Sequence, residues 1–385
     1  MHLHYGEFDA VTDKISEKNK AEEIMRACHN RQALVTSVTK ENKSVSSPKL
    51  YDLTSLQRDA NRLFGFAAKQ TLEYTQSLYE KKLVTYPRTD SQYLTEDMEG
   101  TAKDIAGEVC RRFTFAKQVD LMQTDVKKVM NNKKVTDHHA IIPTMQIFKA
   151  DLNSMPDTES KILSLIGNRL LCAIAPKYVY ESVKAEIVCE NVPFIAIGKT
   201  VLDMGWKEID AAFREFFKTK EEKEKEEGAL PQILQGMVFK SVECDISELF
   251  TKPLPHFTED TLLKAMENAG AEEMSDEVER KGLGTPATRA DVIEKLVASG
   301  FVVRKDKQML PTDDGVKLIT VLPDVVKSPQ LTANWENDLL LVGRGELSAE
   351  QFMQELKIWS KNWFIPIMRS VMSIRNCLEI KRKKY

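Results

Sequence analysis

Polar and apolar positions divide the chain into stretches of different period. From Leu53 the apolar positions recur at helical spacing: Leu53, Leu56, Ala60 and Leu63 line one face, and beyond Gly65 a second helix carries Phe66, Leu72 and Leu78. That helix runs out into Lys81 and Lys82. Leu83 to Tyr86 then reads as a short strand, and Ser91 to Asp97 carries the signals of another helix start. Upstream, residues 1–50 are mostly polar, with an alternating run from Ala33 to Val38 that predicts a strand before the loop SVSSPK and a boundary near Pro48. Residues 158–176 predict an apolar helix. SVKAEIVC, FIAIGKTV and the stretch towards Phe213 to Phe217 alternate or cluster as strands, so this part is expected to be mainly β.

The helical period returns in FTEDTLLKAMENAG, with Thr258 as N-cap and Leu262, Leu263 and Met266 facing inward. A second helix opens at TPAT, where Pro286 suits the first turn, and its apolar stripe is Val292, Ile293, Leu296 and Val297 until Gly300 ends it. FVVRKDKQMLPTDDG reads as two short strands around a charged turn. Helix, helix and strand thus occur twice, a winged-helix-like (CAP-like) order, without a clear internal repeat.

Composition narrows the class. With 385 residues, 42% of them hydrophobic and 29% charged, the chain has material for two or three cores and no disordered profile. No stretch is long and apolar enough to span a bilayer and none at the start resembles a signal segment, so a cytoplasmic, nucleoid-associated location is expected. Six cysteines lie far apart without a CxxC pair, which predicts reduced, buried thiols rather than a zinc ribbon or a disulfide framework. The net charge of −3 excludes a uniformly basic coat but not a local basic channel. Arg111, Arg112, Lys117, Lys127, Lys128, Lys133 and Lys134 gather in one segment that could face phosphate. The EEKEKEE run reads as a solvated loop or helix face.

Three motifs carry candidate chemistry. In LVTYPRTDS, a tyrosine phenol ionises only near pH ~10 when unperturbed, so a nucleophilic Tyr86 needs a neighbour that stabilises its anion or removes its proton. Pro87 stiffens the backbone, and Arg88 offers a fork that binds two phosphate oxygens and the charge of a pentacovalent state. Thr89, Asp90 and Ser91 would serve as caps or polar contacts. On these nine residues alone, a half-buried strand tyrosine beside an exposed arginine is the better explanation of the pattern. In TDHHAIIPT, adjacent His138 and His139 on a strand would point to opposite faces and make poor partners for one metal, so one faces a site or both are structural. In GLGTPATR, the glycines permit close backbone approach, and the helix N-terminus with Thr285, Thr288 and Arg289 offers an anion site or a plain loop-to-helix junction. The motif is not a P-loop, so nucleotide hydrolysis is unsupported.

Taken together, LTSLQRDANRLFGFAAKQTLEYTQSLYEKKLVTYPRTDS, DHHAIIPT, FTEDTLLKAMENAG, GLGTPATRADVIEKLVASGFV and LTANWENDLLLVGRG resemble, in order, the type IA DNA topoisomerases, particularly the topoisomerase III branch. The resemblance implies an α+β multi-domain fold forming part of a torus. Residues 1–50 would begin a β-rich arch with an adjoining helix, 51–157 would be a winged-helix-like domain carrying the tyrosine, 158–250 a helix and the rest of the arch, and 251–385 a second winged-helix-like, DNA-binding domain. It further implies that Tyr86 cuts one strand of DNA and stays joined to its 5′ phosphate, that Arg88 holds the scissile phosphate, and that His138 assists. Thr89, Asp90, Ser91, His139, Thr285, Thr288 and Arg289 would contact single-stranded DNA.

Family members open with a TOPRIM domain whose acids hold Mg²⁺, and nothing before HLHYGEF corresponds to it. The expectation is therefore a truncated core that needs a TOPRIM domain in cis or in trans, holds no metal itself and is inactive alone. No oligomer is implied. The alternatives are a non-catalytic single-strand-binding protein of the same fold and, more remotely, a sequence-reading repressor.

Overall fold

The computed structural model describes residues 1–385 except Glu7, Asn153, 220–227, 271–281 and 365–385. In chain order the main elements are β1 (His2–Tyr5), β2 (Phe8–Val11), α1 (Lys18–Cys28), β3 (Arg31–Val45), α2 (Leu53–Phe64), α3 (Ala68–Glu80), α4 (Glu99–Arg112) and α5 (Asp157–Ile174). They continue with β4 (Tyr178–Cys189), β5 (Val192–Asp203), α6 (Trp206–Phe217), β6 (Val238–Asp245), α7 (Glu259–Asn268), α8 (Pro286–Ala298), β7 (Val302–Lys305) and β8 (Gln308–Pro311), and four further helices run from Asp313 to Trp359.

Contacts group these elements into two compact units made of interleaved stretches. One unit comprises Met1–Leu50, Leu94–Asn132 and Gly167–Leu254; the other comprises Tyr51–Tyr93, Lys133–Ile166 and Pro255–Tyr385.

The first unit is built on a closed barrel of order β1-β2-β5-β4-β3-β6, antiparallel throughout. Side chains alternate in and out as the pleat requires. Leu3, Phe8, Ala10, Val35, Ile187, Phe194 and Val242 fill the interior, while His2, His4 and Asp9 lie on the outer face. The β4–β5 connection is a two-residue turn in which Glu190 and Asn191 both take positive φ, 48° and 65°, the geometry that matches the twist of a tight hairpin. The run expected as Ala33–Val38 is a strand of 15 residues that pairs with β4 up to Val45↔Tyr178.

One expectation fails in this unit. The stretch ending at Phe213 to Phe217 is the helix α6, not a strand. Ile209 and Phe213 stand four residues apart and are its buried positions, a helical period hidden by the density of aromatics. Cys28, Cys172, Cys189 and Cys244 are buried free thiols as expected; Cys110 is only half-buried. Burial pushes the Cys28 thiol up to about 12, and Cys244 and Cys110 to about 11. The acidic run Glu221 to Glu227, Cys377 and the basic C-terminal residues lie outside the described residues.

In the second unit the helices of the two expected winged segments share one core. Ala68 from α3 packs with Leu263, Ala290, Ile293 and Met309, supported by Leu262, Met266, Val297 and Val302. The Glu259 carboxylate accepts from the Ala68 N–H at 2.7 Å and from Arg304 Nε at 2.6 Å, and Arg58 pairs with Asp260 at 2.7 Å. Gly65, at φ 74°, ends α2 in the left-handed conformation that a Cβ would penalise. On α2 the buried face includes Gln57 and Asn61 beside Leu53, Leu56 and Ala60; their amides donate to the carbonyls of Ala68 and Phe66. The predicted stripe on α8 is narrower than expected, with Ile293 and Val297 in the core and Val292 and Leu296 exposed, because only one of the two adjacent i,i+4 rows faces a neighbour. Helix, helix and hairpin follow one another in α7, α8 and β7–β8, whereas α2 and α3 lead into isolated bridges, without a hairpin.

Candidate active site around Tyr86

The segment after α3 is clamped to the residues following the paired histidines. Val84 forms a single antiparallel bridge with Pro143, the Thr85 N–H donates to the Ile142 carbonyl at 3.0 Å, and the Thr85 hydroxyl donates to the Ala140 carbonyl at 3.0 Å. The expected strand from Leu83 to Tyr86 is thus one bridge only. Pro87 and Pro143 have no N–H with which to continue a ladder.

This clamp brings two motifs together that stand about fifty residues apart in sequence. The half-buried Tyr86 ring packs against the exposed His138 ring at 4.3 Å between centroids, and meets Tyr79, from the last turn of α3, edge-on at 5.5 Å. Arg88, two positions on, is exposed; among the described residues no carboxylate lies within ion-pair reach of it. Its guanidinium is therefore available to an external anion. Asp90 is likewise exposed. His139 has Nδ1 2.8 Å from the Ala140 carbonyl oxygen, and neither histidine lies on the strand expected of the pair.

Thr89 and Ser91 have a different employment from the DNA contacts expected of them. Both are buried, at 3% and 5% exposure. The Thr89 hydroxyl donates to the His138 carbonyl at 3.0 Å and accepts from the Ser91 N–H, and the Ser91 hydroxyl donates to the Lys134 carbonyl at 2.8 Å. The Leu53 N–H donates to the Thr89 carbonyl at 3.1 Å. These bonds fix the backbone carrying His138 to the backbone carrying Tyr86 and tie both to the start of α2.

A third contribution comes from the α7–α8 connection. Gly282, at φ 89°, runs so close to the end of α7 that a Cβ there would lie 2.3 Å from the Glu267 carbonyl oxygen, and the Leu283 N–H bonds the Met266 carbonyl at 2.7 Å. Thr285 caps α8, its N–H donating to the Thr288 hydroxyl at 2.9 Å, and Thr288 is exposed. Arg289 is not a surface contact. It is 3% exposed and donates through Nε to the Leu283 carbonyl at 3.1 Å and through Nη1 to the Thr54 hydroxyl at 3.0 Å, so it braces the loop against α2.

Residues that the motifs did not single out complete this brace. Asp52 caps α2 through the Ser55 N–H at 2.7 Å and accepts from the Gln92 amide at 2.9 Å. Burial raises its carboxyl above the ordinary range, opposed by hydrogen bonds from Ser55 and Gln92 and by the charge of Arg289. Burial, then the neighbouring Asp52 charge, raises Glu267 as well, and burial lowers Arg289. The signal for Asp52 was present in the sequence, as an aspartate immediately ahead of the LTSL helical face.

The basic residues expected to act as one patch divide between the units: Lys133 and Lys134 belong with Tyr86, the others with the barrel. A cleft of about 370 Å³ lined by Lys69, Glu73, Arg304 and Lys307 includes none of Tyr86, Arg88 or His138. Among the described residues the one group of three metal-type ligands is His2, His4 and Asp9, in the barrel unit. The side chains that the two motifs present here are a phenol packed on an imidazole and, two positions on, an exposed guanidinium.

A constrained tyrosine, an adjacent imidazole and an available arginine suit phosphodiester chemistry, and comparison with known proteins agrees with that class. The family model described as DNA topoisomerase matches residues 4–354. The chain belongs to the DNA topoisomerase family, in its type IA, topoisomerase III-like branch. It is 38% identical over 351 residues to DNA topoisomerase 3 of Bacillus licheniformis, covering 88% of this chain and 47% of that protein. It is 37% identical over 364 residues to DNA topoisomerase 3 of Bacillus subtilis, covering 92% and 49%. The chain thus spans about half the length of these relatives. Its fold is similar to that of full-length topoisomerase I from Thermotoga maritima, with a TM-score of 0.71 at 21% identity over 94% of this chain and 58% of that one. Among the described residues, no helix is long and apolar enough to cross a membrane.

Proposed function

We propose that this chain is the strand-cutting part of a type IA topoisomerase, acting on single-stranded DNA through a 5′-phosphotyrosine. The observation that carries the proposal is the packing of the Tyr86 ring on His138 at 4.3 Å, held by the Thr89 hydroxyl beneath it. In the cleavage step Tyr86 Oη forms a bond to the scissile phosphorus as its proton passes to a base, and the bond from phosphorus to the 3′ oxygen breaks as that oxygen takes a proton from an acid, groups that a TOPRIM domain would supply. Arg88 binds two non-bridging oxygens and stabilises the extra charge of the pentacovalent state. His138 donates to the same phosphate and orients it. The energy of the broken linkage is retained in the phosphotyrosine, so attack by the 3′ hydroxyl reseals the strand without ATP.

Bases of the bound strand stack or slide along a basic groove instead of being read as a duplex. Thr288, exposed at the start of α8, is a candidate contact on that path. The barrel would serve as the arch of the torus, and the α7, α8 and β7–β8 region as a winged DNA-binding module. Mg²⁺ chemistry would come from residues of a TOPRIM domain, in cis or in trans.

The test is to mix the chain with a TOPRIM domain, Mg²⁺ and 3′-end-labelled single-stranded DNA, then look for label that stays with denatured protein. A covalent adduct that Tyr86→Phe abolishes is expected. An adduct of equal yield in Tyr86→Phe would move the nucleophile elsewhere. Salt-sensitive binding without any adduct would instead favour the non-catalytic single-strand-binding reading.

A further inference from the structure

A second cluster of chemically capable side chains stands on the outside of the barrel, in the unit that does not contain Tyr86. β1 lies between β2 and β6, with His4 opposite Asp9 on one side and His2 opposite Asp245 on the other. Because Leu3 points into the core, His2 and His4 share the outer face, their rings stacked 5.8 Å apart at 7°.

Three donor atoms converge there. Asp9 Oδ1 is 3.3 Å from His2 Nδ1 and 3.4 Å from His4 Nδ1. These separations exceed the ~2.7–3.2 Å usual for an N–H···O bond. They match the ~3.3 Å between two ligand atoms that each sit about 2.0 Å from a tetrahedral ion.

The far side of His4 settles which nitrogen is available. His4 Nε2 lies 2.6 Å from Asp245 Oδ1, the distance of a strong hydrogen bond to a carboxylate. With its proton on Nε2, the ring turns the lone pair of Nδ1 towards Asp9 and His2. A carboxylate behind an imidazole whose other nitrogen faces further donors is the arrangement that orients metal-ligating histidines and raises their basicity. Without an ion Asp9 accepts a long bond from a protonated His2 Nδ1, and metal binding would replace that bond with ligation.

We propose that the outer face of β1, β2 and β6 binds a divalent transition-metal ion of the zinc class, with His2 Nδ1, His4 Nδ1 and Asp9 Oδ1 as ligands. Asp245 is the supporting partner of His4, and the partial exposure of all three ligands leaves the fourth position to water. Two imidazoles and one carboxylate suit zinc, with nickel and copper as competitors, and do not suit magnesium, which takes oxygen ligands in octahedral geometry. The ion would pin β1, a strand of only four residues, to β2, while the Asp245 bond ties His4 to β6.

The test is calorimetric titration of the full chain with zinc chloride, with magnesium chloride as control, followed by thermal melts. One zinc ion per chain, a raised Tm and no response to magnesium are expected. His4→Ala and Asp9→Asn should abolish binding, and Asp245→Asn should weaken it roughly 10- to 100-fold, as loss of an outer-shell partner does. The absorption spectrum of the cobalt-substituted native chain should show nitrogen and oxygen ligands without a thiolate charge-transfer band, a readout that needs no variant. Absence of zinc binding, binding unchanged in His4→Ala, or a thiolate band from the barrel cysteines would overturn the proposal.

Discussion

The barrel unit and the helical unit bury different chemistry. Among the described residues that are buried and polar or charged, only Glu108 and Asn168 belong to the barrel unit; Asp52, Thr54, Gln57, Asn61, Thr89, Ser91, Glu259 and Arg289 are among those in the helical one. Burying a polar group costs about 1–3 kcal/mol unless it finds a partner, so a dry core is the easier route to stability. The helical unit departs from that route where its loops must be held still. Thr89 holds His138, Asp52 holds Gln92, and Arg289 holds Leu283. Polar burial here positions a site, whereas apolar burial in the barrel serves closure.

Substitutions at four positions test that contrast, in descending order of expected effect. Phe194→Ala empties a fully buried position in the barrel and should cost about 3–5 kcal/mol, read as a fall in the denaturation midpoint. A loss well under 1 kcal/mol would mean that the barrel interior is not sealed. Arg289→Ala leaves the Leu283 carbonyl and the Thr54 hydroxyl without their buried donor and should cost about 1–3 kcal/mol by the same measurement. Arg289→Lys should recover only part, since an ammonium cannot reach Thr54 and the Leu283 carbonyl with one planar fork.

Thr89→Val keeps shape but strands the His138 carbonyl, for about 1–2 kcal/mol. Its sharper consequence is a drop in adduct yield with Tyr86 intact; unchanged yield would show that the hydroxyl supports the fold alone.

The smallest effect is a slope. Asp52 titrates above the ordinary carboxylate range when folded, so the native state holds its proton to higher pH than the unfolded chain. Its stabilising contribution is complete below the ordinary carboxylate value of ~4 and is lost as pH rises through the raised one. Asp52→Asn removes that titration, and urea midpoints measured across this window should decline less steeply than in the native chain.

Much of the helical unit was legible because its cues are local. Thr258 and Thr285 occur where a helix must start, Gly65 and Gly300 where one must stop, and Leu53, Leu56 and Ala60 keep the period between them. Local cues misled at Phe213 to Phe217, where consecutive aromatics obscured a helix, and at Leu83 to Tyr86, where prolines cut a ladder to one bridge. Barrel closure was not legible, since Arg31 pairs with Val242 across a separation that no sequence period records. The approach of Tyr86 to His138 was reached only through family resemblance; spacing alone said nothing of it. The buried ties of Thr89, Ser91 and Arg289 were missed for a different reason: the types suited to grip phosphate are also those that satisfy buried carbonyls.

The short turn at Glu190 and Asn191 bears on the order of events during folding. β4 and β5 adjoin in sequence and can zip within roughly microseconds, whereas β3 must await the return of a chain segment running from Val45 to Tyr178 before its own pairing begins. The hairpin is thus the early template and β3 the late arrival. Any change that slows the turn should delay the whole barrel even where the finished structure is equally stable.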